Sequence, residues 1–71
     1  MLLIDYARRD VGMPMRGLHY GRHIGWTTDE KKRDALVAAG ANCTTATTHS
    51  GRVLGYEISF AVGREMLRAV A

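Results

Sequence analysis

Arg8, Arg9, Arg16 and Arg22 are interleaved with Tyr20 and Trp26, and with His19 and His23, in one short stretch of the chain. A guanidinium group can form paired hydrogen bonds to phosphate or carboxylate and can lie flat on a ring. An aromatic side chain can stack on a nucleobase or anchor a protein interface. Only Asp10 offsets the positive charge, and Gly12, Gly17, Gly21 and Gly25 give the backbone room to approach a ligand. The segment therefore predicts a contact surface made of Arg8, Arg9, Arg16, Tyr20, Arg22 and Trp26. The alternative places Tyr20 and Trp26 in the core and leaves the arginines as a solvated face.

Other reactive types are sparse. His19 and His23 would share one side of a helix, but the surrounding glycines argue against a helix there. Cys43 and His49 form neither a paired-cysteine motif nor a recognised zinc spacing, so no metal is expected. Cys43 as a nucleophile would need a lowered thiol pKa and a base beside it. A lone cysteine in a strand is more often a small buried apolar group. The chain carries no phosphate loop, dinucleotide fingerprint or serine-hydrolase elbow, and the expectation is a protein without catalytic residues or cofactor.

These residues must be held by a small framework. Thr27-x-x-Glu30 reads as a capping box, Asp29 and Glu30 suit the positive end of a helix dipole, and Gly40 suits a left-handed C-terminal cap. A helix over Thr28 to Ala39 follows. Beyond it the period changes to two: Leu54, Tyr56, Ile58, Phe60 and Val62 alternate with Val53, Gly55, Glu57, Ser59 and Ala61. With the threonine-rich run from Asn42 to Thr48 and the turn His49-Ser50-Gly51-Arg52, this predicts a hairpin over about residues 42 to 62. Leu2, Ile4 and Tyr6 favour a strand at the start, against a short helix using Leu3, Tyr6, Ala7 and Asp10. Leu18, Tyr20, Ile24 and Trp26 suggest a short irregular strand, and the residues after Gly63 either a terminal helix or more sheet. The fold class expected is α+β: one domain over residues 1–71, a small antiparallel sheet with one main helix across one face.

Length limits what such a framework can do, because 71 residues provide one modest core and no room for a second domain. A single cysteine makes no internal disulfide, which fits a reducing, cytoplasmic setting. No apolar run approaches the roughly 20 residues of a membrane helix, and no basic region followed by an apolar run marks a leader. Ten Lys and Arg against seven Asp and Glu leave a formal charge of +3, mildly favouring an acidic protein surface or a phosphate backbone.

Tyr6-Ala7-Arg8 and the later run Arg33 to Gly40 resemble pieces of the N-terminal domain of serine recombinases. Asp10 stands where that family's nucleophilic serine would fall, so the resemblance brings no activity with it. In size and isolation the chain is similar to the small proteins with which bacterial viruses inhibit host RNA polymerase or defence complexes. The function expected is a non-enzymatic regulatory binding protein that docks on a larger macromolecular machine. Its partner is a protein, from a nucleic-acid-processing or defence complex. Two alternatives stand beside it: a DNA- or RNA-binding module using the same arginines and aromatics, and a homodimeric, antitoxin-like interaction protein joined through a sheet edge.

Overall fold

The structure, a computed structural model, describes residues 2–18 and 21–61. A short helix α1 (Leu3–Asp5) runs on as a π-helical segment (Tyr6–Val11), followed by β1 (Met15–Leu18), β2 (Arg22–Thr27), α2 (Glu30–Ala38), β3 (Asn42–Thr47) and β4 (Val53–Ala61). The four strands form one antiparallel sheet in the order β1-β2-β4-β3. Leu3, Ile4 and Ala7 from the first helical segment and Leu36 and Ala39 from the second helical region join Tyr56, Ile58 and Phe60 of β4 in a single apolar cluster. Both helical segments therefore lie on one side of the sheet, and the α+β expectation holds.

Residues 3–11 are helical, not the strand favoured from Leu2, Ile4 and Tyr6. Alternation would have sent Leu3 and Ile4 to opposite faces, whereas the helix buries both together with Ala7, and Tyr6 and Val11 pack alongside. The last turn is widened, and Met13 N donates to Ala7 O at 2.8 Å. Gly12 closes it at a φ of +78°, a conformation that an L side chain rarely adopts.

The main helix appears where expected but is capped differently at its start. Thr27 is the last residue of β2, and its Oγ1 accepts from Asp29 N at 3.0 Å. Asp29 is the N-cap itself, its carboxylate accepting from Lys31 N at 2.8 Å. At the other end Gly40 N donates to Val37 O and Ala41 N to Leu36 O, the paired bonds of a Schellman motif, with Gly40 at a φ of +109°.

The predicted hairpin is β3 and β4. Tyr56, Ile58 and Phe60 are buried beneath the helices, but Leu54 is 53% exposed because the register shifts between Ala46 and Thr47. Val62 and the terminal segment after it lie outside the described residues. Upstream, the single irregular strand is in fact the hairpin β1-β2, and Tyr20 falls outside the described residues.

Tyr56 ties α2 to the sheet. Its hydroxyl donates to Glu30 Oε1 at 3.2 Å, and Arg33, paired with Asp34 at 2.8 Å, lies 4.4 Å from the ring centroid. Burial and then the Glu30 carboxylate hold the phenol above the usual tyrosine value, against the opposing charge of Arg33. The unfolded chain thus loses this proton first, so the stability linked to Tyr56 is complete below about pH 10 and declines as pH rises beyond it. Denaturant midpoints measured near pH 9 and near pH 11 should fall more for the wild type than for Tyr56→Phe; equal falls would exclude this role.

Candidate functional site

The side of the sheet away from the helices carries the site. Register decides which residues face that way: Arg16 lies opposite Ile24, Ile24 opposite Ser59, and Ser59 opposite Asn42, forming one row across all four strands. The next row holds Trp26, Glu57 and Thr44, and Arg22 stands opposite Ala61 on the other flank. Because side chains alternate along a strand, Arg22, Ile24 and Trp26 of β2 all project from this open face. No described helix covers it.

Trp26 is 51% exposed, so it is not the core residue of the alternative reading. Its position depends on a residue with no side chain. A Cβ on Gly55 would come within 2.7 Å of the indole Cε2 and 2.9 Å of Cη2, so the ring occupies the space above Gly55. Glycine in a strand interior is costly unless something approaches closely, and here the indole does. Gly55→Ala is expected to push Trp26 off this seat. As the chain has one tryptophan, its fluorescence should shift to the red and become more readily quenched by iodide. An unchanged spectrum in a folded variant would show that Gly55 does not hold the ring.

Beside Trp26 an open cleft of about 310 Å³ is bounded by Pro14, Met15 and Arg16 on one side and by Ile24 and Trp26 on the other, with Glu57 at the wall. On the helical side of the sheet, a Cβ on Gly25 would lie 2.8 Å from the carbonyl oxygen of Pro14 and against the sulfurs of Met13 and Met15, so this position has no room for a side chain. Arg22 is oriented from the far flank by a hydrogen bond to the hydroxyl of Ser59, a half-buried arrangement that leaves the residue exposed overall. Apolar surface next to Arg16 and Glu57, with Arg22 farther along the same face, can take an apolar side chain flanked by acidic groups.

The six residues expected to form one surface separate. Arg16, Arg22 and Trp26 share the open face. Arg8 belongs to the helical segment and donates to Met15 O at 2.8 Å, bracing the edge of β1, while Arg9 lies exposed in that same segment. Tyr20 lies outside the described residues. Ile24, Glu57, Ser59 and Gly55 were missed as parts of the site, although a glycine inside the alternating run of β4 was a legible mark of close approach.

Cys43 is exposed, contrary to the expectation of a small buried group. It pairs with Ile58 in register, on the edge strand β3. His23 packs against Phe60 with ring centroids 5.2 Å apart, on the face opposite Trp26. Among the described residues no three His, Cys, Asp or Glu side chains gather as a metal site, and no helix is long and apolar enough to cross a membrane. No family model, curated protein or solved structure matches the chain, and the functional reading therefore stands on these residues alone.

Proposed function

We propose that the chain is a non-catalytic regulatory protein that docks through the open face of its sheet on a protein partner belonging to a larger assembly. The observation that carries this reading is the half-exposed Trp26, seated on Gly55 beside an apolar cleft that Arg16 also lines, with Arg22 farther along the same face. Tryptophan and arginine are the residue types most enriched among the energetic anchors of interfaces. A matching partner presents an apolar side chain to the cleft and carboxylates to Arg16 and Arg22. The target class proposed, machines that process nucleic acid or defend the cell against it, rests on the analogy with small viral inhibitor proteins of this size.

Single-stranded nucleic acid is the second reading, because an indole on an open sheet can stack on a base while arginines meet phosphates. Glu57 weighs against it, standing beside Trp26 where a phosphate chain would run. The two readings part in one experiment. The wild type and Trp26→Ala are immobilised and exposed in parallel to bacterial lysate and to labelled oligonucleotides at two salt concentrations. A stoichiometric protein retained only by the wild type supports docking. Tight, steeply salt-dependent oligonucleotide binding with no retained protein would replace it with the nucleic-acid reading.

A further inference from the structure

The sheet ends in two edges that differ in how they are protected. Edge strands expose a row of unpaired N–H and C=O groups, and proteins usually guard them with charge, proline, shortness or a covering element. The β1 edge has such guards: the strand is four residues long, Pro14 precedes it, Arg16 adds charge, and the Arg8 guanidinium occupies the Met15 carbonyl. The β3 edge has almost none. Asn42–Thr47 is longer, contains neither a charged residue nor proline, is almost wholly exposed, and pairs with β4 on one side only among the described residues. The register shift between Ala46 and Thr47 limits the regular run to residues 42–46.

The composition of that run selects its occupant. An uncharged strand meets its own copy without like-charge repulsion, and threonines have high β propensity and form favourable cross-strand pairs. A two-fold axis normal to the sheet sets β3 antiparallel to itself, with one residue facing its own copy at the axis and Thr44 and Thr45 near the centre. We propose that the outer edge of β3 is a self-association site, joining two copies of the chain in one continuous eight-stranded sheet. Such an axis keeps faces on their own sides, so both Trp26 surfaces look the same way. If those surfaces dock as proposed above, the dimer engages its target twice, and linkage of the two contacts raises apparent affinity without any new one. The pairing itself does not depend on the docking reading.

Sedimentation of the full chain over a roughly hundredfold concentration range tests the pairing. The wild type should approach twice its 7.8 kDa mass as concentration rises. The double variant Thr44→Lys with Thr45→Lys, which sets like charges across the axis at two exposed positions, should remain monomeric with an unchanged circular dichroism spectrum. Trp26→Ala should dimerise like the wild type. Hydrogen exchange provides a readout independent of any substitution, because outward amides within residues 42–46 should gain protection as concentration rises. A wild type that stays monomeric throughout, a dimer that survives the double lysine change, a dimer lost in Trp26→Ala, or amides of β3 indifferent to concentration would each overturn the proposal. A wild type that dimerises but retains no partner would instead count against the docking reading alone and leave the pairing standing.

Discussion

Trp26→Ala is expected to weaken partner binding about a hundredfold while leaving the denaturant midpoint close to that of the wild type. The exposed half of an indole is roughly 120 Å², and covering it is worth about 3 kcal/mol, which is a factor of about 100 in the dissociation constant. Little is lost from the fold, because the ring rests on the sheet surface above Gly55 and takes no part in the buried cluster. Arg16→Ala should cost less, since a charged contact at the rim of an interface governs the approach of the partner more than the strength of the complex. The pair of variants therefore separates by rate. Trp26→Ala acts mainly on dissociation, and Arg16→Ala mainly on association and on its dependence on salt, both read by surface plasmon resonance.

Leu36→Ala has the opposite signature. Leu36 is 0% exposed and, with Met13 and Ile58, is one of the largest side chains buried in full. Truncating it removes apolar burial and leaves a cavity, together about 2–5 kcal/mol. A chain of this length has roughly 4–10 kcal/mol in total. The variant should therefore lose about half of its stability, with the midpoint of urea unfolding moved sharply down. Leu36 also supplies the carbonyl that closes the Schellman motif, yet that bond comes from its backbone and survives the change. A midpoint within the error of the wild type would mean that α2 is not packed on β4 as described.

The parts of this structure that sequence reveals are those with local causes. Gly40 has to follow the helix because its backbone turns left-handed there, and the alternation of Tyr56, Ile58 and Phe60 marks the strand that faces the core. The parts it hides depend on partners distant in the chain. Whether Leu3 and Ile4 belong to a strand or a helix is decided by the buried cluster they join, whose members include Leu36, Ile58 and Phe60 far downstream. The choice of Asp29 over Thr27 as helix cap follows from Thr27 being drawn into β2, which only its pairing with Tyr56 reveals.

The contact surface was legible in type and not in extent. Residue chemistry singles out Arg16, Arg22 and Trp26, and strand alternation alone would have set Arg22 and Trp26 on one face once β2 was known. Arg8 and Arg9 look equivalent to them in sequence, but they fall on a helical segment, and Arg8 takes up a backbone carbonyl. Glu57 and Gly55 reach the site through the register of β4 against β2 and the reach of the indole, which no local pattern encodes.

The open sheet face can be set directly against the helical side with two exposed apolar residues, Trp26 on β2 and Val37 on α2. Calorimetric titration of the captured partner into wild type, Trp26→Ala and Val37→Ala is the decisive comparison. Heat lost with the tryptophan variant and kept with the valine variant is the outcome this account predicts. Undiminished binding by Trp26→Ala, with Val37→Ala impaired, would put the working surface on the other side of the molecule.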